Sequence, residues 1–100
     1  MAHTAEALMR SRYSAFVLLN EAYLLATWHR STRPKAVTFE AGLKWLGLKV
    51  VAHQADGDTA TVEFIARYRV GGTSATRLHE RSNFVREQAT WFYVDEIQPD

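Results

Sequence analysis

Apolar residues recur at three- and four-residue steps up to about Trp45 and close to every second position beyond it, so the chain reads as helices followed by strands. Leu8, Met9, Arg12, Tyr13, Phe16, Val17 and Leu19 form one helical stripe. With Thr4 as N-cap and Glu6 in the first turn, the spacing predicts an amphipathic helix from Thr4 to Leu19. Asn20 either ends that helix in the left-handed region or caps the next, which runs from Glu21 to Trp28 with Tyr23, Leu24, Leu25 and Trp28 on its stripe. His29 to Pro34 has capping and breaker residues and no apolar side chain, which marks a loop. A further helical stretch is expected between Thr38 and Lys44, before the sheet starts at Trp45 and Leu46.

Four strands are then predicted: Leu46 to Gln54, Thr59 to Val70, Ala75 to Glu87 and Trp91 to Ile97. Asp56-Gly57-Asp58, Gly71-Gly72 and a polar turn separate them, which makes an antiparallel meander. The even positions Val62, Phe64, Ala66, Tyr68 and Val70 form the buried face of the second strand, and Leu78, Glu80, Ser82 and Phe84 that of the third. Pairing Phe84 with Tyr93 adds Tyr93 and Asp95 to the same face. A tight two-residue turn at Gly71-Gly72 would instead bring His79 inward, because a one-residue slip flips every side chain. The fold class is therefore α+β: N-terminal helices packed on a curved four-stranded antiparallel sheet.

The 100 residues suit a single domain over 1–100, and 47% apolar with 23% charged side chains gives it a core. No cysteine is present, which removes disulfides, thiolate metal sites and cysteine nucleophiles together. No cofactor is expected, and no metal, since no HExxH-like spacing occurs. No run reaches the roughly 18 apolar residues of a membrane span and no signal peptide is evident, so the expectation is a cytoplasmic protein with no membrane partner. A net charge of +1 is too balanced for nucleic-acid binding. The charge is uneven, at +3 over residues 1–35 and −2 over residues 36–100.

Several blocks carry a resemblance: Ala7-Leu8-Met9-Arg10-Ser11-Arg12-Tyr13-Ser14-Ala15, Tyr23-Leu24-Leu25-Ala26-Thr27-Trp28-His29, Ser31-Thr32-Arg33-Pro34, Trp45-Leu46-Gly47-Leu48, Val62 to Arg69 and Leu78 to Glu87. Together they resemble the middle domain of the bacterial YchJ-like family over Thr4 to about Asp95. The resemblance implies a nuclear-transport-factor-2-like, cystatin-like cone of three helices wrapped by a bent antiparallel sheet. Many members carry a cysteine-rich zinc-binding SEC-C motif beside this domain. This chain lacks the cysteines, so the zinc role does not carry over. The family implies a fold and no activity.

Glu80 is the most informative single position, a carboxylate on an otherwise apolar strand face. Desolvation there would raise its pKa and suit it to ligand binding or general acid–base work, while the structural alternative is a buried anchor, paired with an arginine of the first helix such as Arg12 on its stripe or hydrogen-bonded to an indole or phenol. The expected ligand-binding set is Glu80, Tyr13, Arg12, Trp28 and Tyr68, lining a cone-shaped pocket for a small molecule. Whether any reaction follows is open at this level. His79 is expected on the outer face unless the alternative register holds, and His29, Arg30, Ser31 and Arg33 read as a solvated loop more readily than an anion site. Arg67 and Arg69 facing Arg77 and Arg81 put like charges together on the outer sheet face. That cluster supports an alternative function, a protein-interaction module or homodimer formed through the sheet face.

Overall fold

The structure, a computed structural model, describes residues 2–99. Two helices, α1 (Ala5–Val17) and α2 (Glu21–Ala26), precede four strands, β1 (Leu43–Asp56), β2 (Thr59–Val70), β3 (Thr76–Glu87) and β4 (Thr90–Ile97). The strands pair in chain order as one antiparallel sheet, and the helices pack across one face of it. The α+β architecture is the one the pattern of apolar positions predicts.

Thr4 caps α1, its Oγ1 accepting the Ala7 N–H at 3.0 Å. The helix ends at Val17, two residues before the expected Leu19. Leu19, not Asn20, takes the left-handed conformation at φ 56°. The Asn20 N–H bonds the Ala15 carbonyl and the Leu19 N–H that of Phe16, the paired closure of a Schellman motif. Asn20 then caps α2, its Oδ1 accepting the Tyr23 N–H at 3.1 Å.

The expected end of the second helix at Trp28 is corrected to Ala26. Trp28 instead makes a parallel bridge to Tyr93, with the His29 N–H on the Tyr93 carbonyl and the Tyr93 N–H on the Thr27 carbonyl. The chain after α2 thereby pairs with the β4 edge. No helix forms between Thr38 and Lys44: residues 33–40 are irregular, anchored by the Val37 N–H on Glu21 Oε2, and β1 begins at Leu43. The third helix implied by the resemblance is thus an irregular crossing.

Bulges at Leu46 and Val51 curve β1 around the helices. β2 and β3 pair with Phe64 opposite Glu80 and Ala66 opposite Leu78, the register in which the even positions share the inner face. His79 accordingly lies outside, opposite Ile65, its Nε2 2.7 Å from Glu63 Oε2. In β4 a further irregularity changes the expected assignment. Phe84 pairs with Tyr93 but Asn83 pairs with Asp95, leaving Val94 as the extra residue. The alternation slips by one, so Asp95 faces outward, accepting from Asn83 Nδ2 at 2.8 Å, and Glu96 takes the inner position.

The core gathers Leu8 and Met9 of α1 with Ala60, Val62, Phe64 and Ala66 of β2, Phe84 of β3, and Trp91 and Tyr93 of β4. It is densest toward the β3–β4 turn. Toward the Trp45 end, packing gives way to a cavity.

Candidate functional site

The cavity of about 260 Å³ lies between α1 and the concave sheet face. Helical spacing aims Met9, Arg12, Tyr13 and Phe16 of α1 at it, and strand alternation aims Leu78, Glu80, Ser82 and Phe84 of β3 from the opposite side. Trp45 of β1, Phe64 and Ala66 of β2, Tyr93 and Glu96 of β4, and Trp28 complete the lining. The rings brace one another edge to face: Tyr13 on Trp45 at 5.7 Å between centroids, and Trp28 on Tyr93 at 5.0 Å.

Four of the five expected ligand-binding residues, Glu80, Tyr13, Arg12 and Trp28, converge on this space. Tyr68 does not line it. Its ring packs on Trp45 at 5.5 Å and supports the wall from behind. Glu96 is the lining residue that strict alternation misses, because the bulge at Val94 exchanges it with Asp95. Two adjacent acids at the end of a strand give no period by which to choose between them.

Arg12 is buried at 6% exposure but is not paired with Glu80. Its Nη1 donates to the Leu24 carbonyl at 2.8 Å and to Thr27 Oγ1 at 2.6 Å. Its guanidinium carbon sits 4.3 Å from the Tyr93 ring centroid and 5.0 Å from that of Trp28. Burial lowers its pKa to about 10, so it remains a cation at neutral pH. The structural alternative of a sealed Arg12–Glu80 pair is therefore not what forms.

Glu80 meets another acid instead. Desolvation first, then hydrogen bonding and charge repulsion from Glu96, push its carboxyl up from the ordinary 4.5 to about 7. Near neutral pH the Glu80 carboxyl is therefore poised between its protonated and ionised forms. Burial, with Glu96 adding to it, also holds the Tyr93 phenol neutral, and burial raises Tyr13 as well. Chemically, this end of the cavity can take up or release a proton near neutrality, or exchange that proton for another cation.

The second polar cluster closes on itself. Glu87 receives Arg30 Nη1 at 2.8 Å and lies 3.1 Å from His29 Nε2, while His29 Nδ1 meets Ser31 Oγ at 2.7 Å. Arg33 Nε donates to the Trp28 carbonyl at 3.0 Å. These residues fasten the loop after α2 to the β3–β4 hairpin. Among the described residues no three His, Asp or Glu side chains gather to hold a metal ion. No helix there is long and apolar enough to cross a membrane.

A short helical layer on a curved four-stranded meander, enclosing a cavity at the centre of the cone, defines an NTF2-like domain. Residues 4–96 match the family described as "YchJ, middle NTF2-like domain", and the chain belongs to that family. It is 66% identical over 92 residues to a UPF0225 protein of Polaromonas naphthalenivorans, an alignment covering 91% of this chain and 67% of the relative. A UPF0225 protein of Bordetella pertussis is 59% identical over 93 residues, with 91% and 69% covered. A second Polaromonas UPF0225 protein, 58% identical over 92 residues, is covered over 66% of its length, so the chain spans about two thirds of these relatives. The solution structure of RPA3114 from Rhodopseudomonas palustris, a SEC-C motif containing protein, superposes with a TM-score of 0.87 at 33% identity, over 98% of this chain and 80% of that one.

Proposed function

We propose that this chain binds a small organic molecule in the cavity between α1 and the sheet. The observation that carries the reading is an aromatic-walled space of about 260 Å³ with the half-buried Glu80 carboxyl turned into it and the exposed Glu96 also on its lining. A core shaped for stability alone closes to near-crystalline density and keeps acids outside. A pocket for a ligand does the reverse, with apolar walls and a few converging polar groups. Glu80 supplies the polar contact, Tyr13 and Trp28 the walls, and Arg12 fixes Trp28 and Tyr93, while Tyr68 acts through Trp45.

A thermal-shift screen of the full chain against a metabolite library, run beside Glu80→Gln, tests this. A ligand at ~100 times its dissociation constant stabilises the fold by about 2.7 kcal/mol. A hit lost in a folded Glu80→Gln protein is the expected result. No hit, together with a strongly destabilised variant, would make Glu80 a structural residue.

The outer sheet face supports a second reading, a protein-interaction or homodimer surface. Arg67 stands directly opposite Arg77 as expected, but Arg69 faces Lys44, and Arg81 faces not an arginine but Glu63, which His79 also engages. Like charges opposed across a sheet are destabilising unless an outside acid relieves them. Charge reversal at Arg67 and Arg69 should then abolish association measured by light scattering. Retained association would dismiss the face as the interface.

A further inference from the structure

Resting on the pocket reading above, we propose that the ligand is a small organic ammonium ion, seated between the aromatic wall and the Glu80–Glu96 carboxyl pair.

Three observations converge on that class. The wall is aromatic: Tyr13, Phe16, Trp28, Trp45 and Tyr93 all line the space. Aromatic faces attract cations most strongly where water is excluded. The same wall already holds one cation, the Arg12 guanidinium over Tyr93 and Trp28.

Arg12 feels the charge of Glu96 but closes no ion pair with either acid. Among the described residues neither Glu80 nor Glu96 takes part in an ion pair, although Glu6, Glu63, Glu87 and Asp58 all do. Burial and the neighbouring Glu96 favour a proton on Glu80, and an ammonium group entering beside it would displace that proton.

The charge count agrees. From α1 the lining presents Arg12 and the neutral Tyr13, from β3 Glu80, and from β4 Glu96 and the neutral Tyr93, whereas β1 and β2 contribute only Trp45, Phe64 and Ala66. With both acids ionised the lining carries one net negative charge, which a monovalent cation neutralises. A carboxylate or phosphate ligand would meet two acid groups and one arginine whose Nη1 is already bonded to Leu24 and Thr27. A neutral ligand would leave the Glu80 proton in place.

The test titrates the full chain, followed by NMR and by tryptophan fluorescence, with three probes of one shape: 2-phenylethylammonium, 2-phenylethanol and 3-phenylpropanoate. At pH 8 the ammonium should bind at least about tenfold tighter than the alcohol, and the carboxylate most weakly. Because Glu80 titrates at about 7, ammonium affinity should fall about tenfold between pH 8 and pH 6 while that of the alcohol stays level. Glu80→Gln should bring the ammonium down to the alcohol's affinity without moving the alcohol, which also shows that the pocket has survived. Glu96→Gln serves the same purpose if Glu80→Gln does not fold. Equal binding of ammonium and alcohol, or tightest binding of the carboxylate, overturns the ammonium class and leaves the pocket reading standing. If none of the three perturbs the lining residues, both readings fall.

Discussion

Glu80 and Glu96 meet carboxyl to carboxyl although they are not paired directly across the sheet: Ser82 stands opposite Glu96, and Glu80 is the next inward residue along β3. The contact makes the fold sensitive to pH. A carboxyl whose native pKa is raised from 4.5 to about 7 binds its proton more firmly folded than unfolded. Its stabilising contribution is complete below about 4.5 and is lost as pH rises through about 7. Discounted for the partial exposure of Glu80, the loss is ~1–2 kcal/mol. The melting temperature of the wild type should therefore fall between pH 5 and pH 8 by several degrees more than that of Glu80→Gln, ~4–8 °C per kcal/mol for a chain of this size. Parallel melting curves for the two proteins would refute the raised titration of Glu80.

The inward placement of Glu80 is legible from sequence because β2 and β3 alternate without interruption and the hydrophobic face fixes their register. Glu96 is not, since it depends on one inserted residue, Val94, in a strand where the adjacent Asp95 is an equally acidic candidate. Helix starts are likewise legible through the Thr4 and Asn20 caps, which announce themselves chemically. The helix ends are not, because Leu19 occupies a conformation that local preference reserves for glycine, and Trp28 leaves α2 to bridge β4. In each missed case a tertiary contact or a strained backbone overrides the periodic signal.

Two such strained positions can be relieved. Leu19 at φ 56° closes α1, and Ala89 at φ 63° follows Gln88 at φ 51° in the two-residue turn between Glu87 and Thr90. That turn has the positive-φ geometry for which Asn-Gly is preferred. A left-handed residue with a Cβ costs roughly 1–2 kcal/mol, part of which glycine returns through the entropy of the unfolded chain. Ala89→Gly and Leu19→Gly should each stabilise the protein by about 0.5–1 kcal/mol in urea titrations, and they should add because the sites share no contact. Destabilisation by either would show that the side chain matters more than its backbone angle.

Glu87 sets an acid limit on the loop after α2. The hydrogen bond from Arg30, then that from His29, holds its carboxyl below the ordinary 4.5. A depressed carboxyl contributes above its unfolded pKa and ceases to contribute as pH falls through its lower native value. Acid titration followed by amide NMR should therefore show residues 29–32 loosening at a pH where the sheet is still intact. Glu87→Gln should display the loosened spectrum already at neutral pH. A loop that loosens in the variant at the wild-type pH would mean that some other acid group holds it.

Arg12 separates a structural role from an electrostatic one at the pocket. Its Nη1 satisfies the buried Leu24 carbonyl, and its guanidinium stacks on Tyr93 and Trp28. Arg12→Met keeps the length of the side chain but leaves that carbonyl only the 3.3 Å bond from Thr27 Oγ1, at a cost of about 1–2 kcal/mol. Arg12→Lys keeps the charge but loses the planar fork and should fall in between. Because Glu96, and not Arg12, raises the Glu80 pKa beyond the effect of burial, Arg12→Met should leave the Glu80 titration near its wild-type midpoint. Glu96→Gln should move that midpoint down toward 4.5, by removing the like charge. Carboxyl carbon shifts of Glu80, recorded across pH in both variants, decide the matter. If the Arg12 variant moves Glu80 and the Glu96 variant does not, the acid is governed by a pairing with Arg12, and the influence of Glu96 on it is refuted.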